Sequence, residues 1–174
     1  ADVMTGGAGN DSYRVDNAKD KAIEGTDNGI DTVESTLDWI LGNNLENLTL
    51  LGSAKKATGN KLDNRLEGNA ADNIFIGKGG HDVFKGAAGN DQFIFDQKTI
   101  AQNASVIEDF TPGEDKLMLS KKIFKFVDAS HLSYDETTGV LSYDADASGS
   151  KFSPVAIVTL TGTPDITSTD YSLF

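Results

Sequence analysis

Four side-chain oxygens recur at nine-residue intervals in the middle of the chain: Asn64, Asn73, Asp82 and Asp91. Each stands sixth in one of four unbroken blocks, GNKLDNRLE (59–67), GNAADNIFI (68–76), GKGGHDVFK (77–85) and GAAGNDQFI (86–94). Carboxylate, amide and backbone carbonyl oxygens at a fixed interval, with no thiolate among them, are donors for a hard cation. Calcium, with six to eight oxygen ligands at flexible geometry, suits such a set better than zinc or copper.

The blocks also carry the elements that must hold those oxygens. Each opens on glycine (Gly59, Gly68, Gly77, Gly86) and has a large apolar residue eighth (Leu66, Phe75, Phe84, Phe93). Six residues rich in Gly, Asn and Asp tolerate positive φ and form a tight turn. The remaining three form a short strand whose central side chain points inward. Two blocks then complete one coil, and the expected fold is all-β, a right-handed parallel β-roll. Turns 18 residues apart stack, Asn64 on Asp82 and Asn73 on Asp91. Converging oxygens repel one another without a cation, and strands this short bury little, so folding and metal binding should be one event.

GGAGND (6–11) and GAAGND (86–91) resemble the nonapeptide of the RTX (repeats-in-toxin) calcium-binding family, and the resemblance covers residues 2–94. It implies that an upstream turn gives its second and fourth carbonyls and its sixth side chain. The turn one coil later gives its first and third carbonyls and its sixth side chain. One implied site joins Asn60, Leu62 and Asn64 to Gly77, Gly79 and Asp82; a second joins Asn69, Ala71 and Asn73 to Gly86, Ala88 and Asp91. Asn replaces the family's Asp at 64 and 73, which keeps an oxygen but removes a charge and lowers affinity. A third site is expected from Gly7, Gly9 and Asp11 with Asn28 and Asp31, whose 20-residue spacing implies a two-residue bulge. Asp16, Asp20, Asp27 and Asp38 read as solvated turn acids, and Trp39 as a core or edge residue.

The expected roll spans 1–95, with looser repeats over 1–58 and regular nonapeptides over 59–94. Residues 96–174 read as a C-terminal antiparallel β cap. In it, VIEDFTPGEDKLMLS (106–120) resembles the closing segment of serralysin-type proteases and alginate epimerase R-modules, and reads as strand, Pro-Gly turn, strand. Asp109 reads as part of that capping turn. LSYDETTGVLSYDADAS (132–148) reads as a hairpin, and VAIVTLTG (155–162) as a further strand against the roll's end. DADASG (144–149) has half of an EF-hand loop, but Val155 stands where that loop needs a bidentate Glu; a turn is expected instead.

Composition narrows the function. Across 174 residues, 27 acids against 15 Lys and Arg leave a net charge of −12 and a pI near 4.4, a surface that repels nucleic acid and anionic lipid. No apolar run is long enough to insert in a membrane. The absence of cysteine removes disulfides and cysteine nucleophiles. His81 and His131 stand apart, and GGAG precedes an acid and a strand rather than the helix a phosphate loop needs, so the chain does not read as an enzyme.

The resulting expectation is a module that binds several Ca2+ ions and folds on them outside a bacterial cell. It would serve as the C-terminal folding and type I secretion region of a larger secreted or surface protein, with the secretion machinery as partner. TSTDYSLF at the end resembles the uncleaved signal for that route. The alternative is an accessory module for an extracellular, alginate-like polysaccharide or a surface partner, approached through Lys55, Lys56, Lys61 and Arg65.

Overall fold

The computed structural model describes residues 1–26, 29–97, 104–125, 129–147 and 153–174. Short strands alternate with turns: β1 (Val3–Thr5), β2 (Ser12–Val15), β3 (Lys21–Ile23), β4 (Thr32–Ser35), β5 (Trp39–Ile40) and β6 (Asn47–Leu50). They continue as β7 (Lys56–Thr58), β8 (Arg65–Glu67), β9 (Ile74–Ile76), β10 (Val83–Lys85), β11 (Gln92–Phe95), β12 (Ser105–Ile107) and β13 (Lys116–Leu119). The last are β14 (Leu132–Asp135), β15 (Val140–Tyr143), β16 (Val155–Leu160) and β17 (Tyr171–Leu173). From β4 to β13 successive strands go to opposite faces. Even-numbered strands from β2 to β12 pair in parallel in one sheet, and β5, β7, β9, β11, β13 and β17 pair in parallel in another; β1 and β3 form a parallel pair of their own. The all-β, largely parallel architecture agrees with the coil that the nonapeptides imply.

β8, β9 and β10 bury one side chain each and β2, β4, β6, β11 and β13 two, and register makes one from each strand contiguous. Tyr13, Val33, Leu48, Leu66, Phe84, Ile107 and Leu160 are aligned rung by rung across the first sheet. Across the second, Trp39, Ala57, Phe75, Phe93, Leu117 and Tyr171 do the same. Trp39 is partly buried against this core. Between the sheets Phe75 stacks on Phe93 with ring centres 5.1 Å apart, and Phe84 meets both edge-on. Coil after coil, the repeat's eighth residue builds the core.

The parallel ladders do not stop where the nonapeptides do. β12 stacks on β10 and β13 on β11, although the intervals widen to 23 and 24 residues. β16 and β17 then add one more rung to each sheet. Residues 106–120 thus have the expected strand, turn and strand, with one strand in each sheet. β14 and β15 form the hairpin expected at 132–148, and β15 pairs antiparallel with β16; Ser148 and Gly149 of DADASG lie outside the described residues. The ending TSTDYSLF supplies a turn and β17. Asp170 accepts N–H groups from Gly113 and Thr167, and Leu117 N–H donates to its carbonyl.

Candidate metal centre

Two columns of sixth-position residues run along the edges of the roll, each immediately before a strand. Along one, Asp2, Asp20, Asp38, Lys55, Asn73, Asp91, Asp115 and Asp170 precede successive strands; along the other, Asp11, Asp31, Glu46, Asn64 and Asp82 do so. Side chains tie successive turns together. Asn64 N–H donates to Asp82 Oδ1 at 3.0 Å, Asn73 N–H to Asp91 Oδ1 at 2.8 Å, and Asp11 N–H to Asp31 Oδ1 at 2.8 Å across the 20-residue interval. The stacking anticipated from spacing alone is thus present at all three pairs. Asn28 lies outside the described residues.

The turns themselves fall into two classes that the nine-residue register conceals. In 6–11, 77–82 and 86–91, the second and fourth residues adopt positive φ: Gly7 and Gly9, Lys78 and Gly80, Ala87 and Gly89. No residue of 59–64 or 68–73 does. There Asn60 Oδ1 accepts Leu62 N–H and Asn69 Oδ1 accepts Ala71 N–H, each at 2.8 Å, so the side chain rather than glycine shapes the bend. The amide nitrogens point back one coil. Asn60 Nδ2 donates to the carbonyls of Gly42 and Leu45 at 2.7 Å, and Asn64 Nδ2 to those of Leu45 and Glu46 at 3.1 Å. Asn69 and Asn73 both donate to Ala54 O. In these two gaps, neutral donors meet the converging carbonyls.

The next gaps differ, because the downstream sixth residue is an acid. Asp82 is 3 % exposed and Asp91 1 %. No ion pair among the described residues reaches either carboxylate. Burial pushes both up to about 7, only partly offset by the N–H of Asn64 or Asn73. Burial also raises Asp115. The implied carbonyl donors stack there too: Gly77 and Gly86 lie against Gly59 and Gly68, and the Leu62 and Ala71 carbonyls against Gly80 and Gly89. Asn60 O accepts Gly79 N–H at 3.1 Å. Leu62 and Ala88 are exposed at the turn tips. Asn64 and Asn73 bring oxygens already accepting Asn60 and Asn69 N–H.

At the third pair, the structure adds a residue that the repeat pattern does not mark. One oxygen each from Asp11, Glu24 and Asp31 lie within 4.8 Å of one another. Asp11 Oδ2 and Glu24 Oε1 are buried without a hydrogen-bond partner. Glu24 directly follows β3, the place that Gly6, Gly59, Gly68, Gly77 and Gly86 hold after their strands. At each of those glycines, an added Cβ would strike the sixth side chain of the same turn. The 24–31 turn is two residues longer, and its first position holds a carboxylate. An acid in a glycine position, coupled to the lengthened interval, was the available sequence signal.

The remaining acids have other work. Asp20 is buried rather than solvated, accepting N–H groups from Asp2, Asp16 and Asn17, which lower its pKa. Asp38 accepts N–H groups from Lys55 and Lys56. Asp109 accepts those of Gly86 and Ala87, while Asp115 holds the sixth position above Asp91.

A buried, all-oxygen set with carboxylates that lack a cationic partner is what a calcium ion fits. Comparison with known proteins agrees. The model of the RTX calcium-binding nonapeptide repeat matches in four copies, at residues 1–17 and 58–93. A segment of 62 residues is 39 % identical to Endo-1,3-1,4-beta-glycanase ExsH of Rhizobium meliloti (strain 1021); it covers 36 % of this chain and 13 % of that protein. The matched repeats contain the turns at 6–11, 59–64, 68–73, 77–82 and 86–91, and over those two stretches the chain carries repeats similar to the RTX calcium-binding nonapeptide.

Proposed function

We propose that the chain is a calcium-triggered folding module, the C-terminal folding and type I secretion region of a larger protein that works outside a bacterial cell. The observation that carries this reading is the pair of buried, cation-free carboxylates at Asp82 and Asp91. Where calcium is scarce, those acids and a net charge of −12 oppose compaction. Extracellular calcium modules work at about 10⁻⁴–10⁻³ M ion, and each ion bound offsets two negative charges. A chain that stays open until it meets such concentrations can be exported first and folded afterwards. We take the winding as right-handed, the hand in which crossovers pack back onto parallel strands, and β14–β16 as a cover for the roll's last coil. No helix of the described residues is long and apolar enough to cross a membrane. A far-UV circular-dichroism titration tests the reading: β signal should rise with calcium, and full β structure in chelator would refute it.

A second reading, an accessory module for an extracellular polysaccharide, draws support from the stretch shared with a β-glycanase. Lys55, Lys56 and Lys61 are exposed. Arg65, however, is engaged in a two-pronged pair with Glu108. Calorimetry of the calcium-loaded chain against alginate decides: measurable binding that Lys55→Ala/Lys56→Ala weakens favours it, and silence removes it.

A further inference from the structure

We propose that Glu24 joins Asp11 and Asp31 in a three-carboxylate calcium site, and that this site fills first on the roll. The inference rests on the calcium reading above and adds to it a ligand that the repeat does not supply. Three observations converge. The three acids bring oxygens within 4.8 Å of each other, the one such group of three among the described residues. Glu24 is more than nine-tenths buried, and among the described residues neither its Oε1 nor Asp11 Oδ2 has a hydrogen-bond partner; Oε2 accepts the Gly25 N–H. Among the described residues, no Lys, Arg or N-terminal amine forms an ion pair with any of the three.

Charge then ranks the gaps. The 64/82 and 73/91 pairs each combine one amide with one carboxylate, whereas the 11/31 gap holds three carboxylates. Oxygen sites gain calcium affinity with ligand charge. The cost is mutual repulsion when no ion is bound, so this turn should be the one most dependent on its cation. Glu24 takes the position that Gly6, Gly59, Gly68, Gly77 and Gly86 hold in turns two residues shorter, where an added Cβ would strike the sixth side chain.

Terbium(III), a luminescent oxygen-seeking ion of higher charge, is a suitable probe of the whole chain beside calcium itself. Tyr13 donates light to it at short range: its hydroxyl accepts the Gly6 N–H at 2.8 Å, and Gly6 abuts the Asp11 carboxylate. The first equivalent of terbium should light up under tyrosine excitation. Glu24→Gln should weaken that first phase and the first calcium phase in calorimetry by about tenfold or more. Asp82→Asn should leave the first phase intact and weaken a later one. Tyr13→Phe should dim emission without changing the calorimetric isotherm. If Glu24→Gln binds calcium as the parent chain does, Glu24 is not a ligand, though the roll still binds calcium; if neither chain binds calcium, the wider reading fails with it. Hydrogen exchange of the unmodified chain at substoichiometric calcium is independent of any variant. Residues 6–35 should gain protection before 59–94, and the opposite order overturns the proposal.

Discussion

At the residue scale, the sixth-position acids link protonation to folding. Asp82 and Asp91 hold their protons to about 7 in the ion-free roll, through burial, against an ordinary value of 3.8. Between those values the roll binds more protons than the open chain, so these groups favour the ion-free roll most at the acid end of the window and lose that contribution as pH rises toward 7. Calcium must displace the same protons. In chelator, thermal stability should therefore be higher at pH 5 than at pH 7.5, whereas the calcium midpoint should be weaker at pH 5. Equal chelator stabilities at the two values would contradict the burial of those carboxylates. Gly77 poses a steric question rather than an electrostatic one: a methyl group there runs into the Asp82 carboxylate. Gly77→Ala should cost about 1–3 kcal/mol, the usual penalty of overpacking, and weaken calcium binding, both read from melting curves with and without the ion.

At the element scale, the roll has two ways of closing the gap between turns. In the glycine-shaped turns, acids face one another's backbone and await a cation. In 59–64 and 68–73, asparagine amides donate directly to carbonyls of the preceding coil. The centre of the roll is therefore braced without metal. Asn64→Leu removes one of two donors from each of the Leu45 and Glu46 carbonyls, leaves the buried Asn60 N–H without its acceptor, and should cost about 1–3 kcal/mol in chelator. Asn64→Asp turns a carboxylate toward those carbonyls, so it should lose more in chelator and regain stability with calcium. A variant equally stable in both conditions would argue against the brace. Packing supports the same region: Phe84 meets Phe75, Phe93 and Phe95, and Phe84→Ala should cost about 3–5 kcal/mol in calcium.

At the scale of the whole molecule, the chain is a stack whose coils contact mainly their neighbours, so its stability is nearly a sum over coils and interfaces. Coils closed by acids should open in chelator while the amide-braced centre persists longest. Small-angle scattering should then report a radius of gyration that falls on adding calcium. The limits for a chain of this length are roughly 44 Å unfolded and 16 Å compact. Hydrogen exchange in chelator should find the slowest amides between residues 45 and 76. A uniform, cooperative loss of protection along the roll would show instead that the coils do not open separately.

The sequence alone determined the coil. Gly59, Gly68, Gly77 and Gly86 fall at one position and Leu66, Phe75, Phe84 and Phe93 at another, because a turn that cannot hold a Cβ and a strand with one inward side chain leave little choice. It also paired Asn64 with Asp82, Asn73 with Asp91, and Asp11 with Asp31. Only the tertiary structure decided which way the asparagine amides face, since Asn and Asp are interchangeable in a register of oxygens but opposite as partners for a carbonyl. It likewise brought Glu24 to Asp11, and Asp115 and Asp170 into line with Asp91. Insertions change the interval along the chain, while the ladder hydrogen bonds between strands restore it in space.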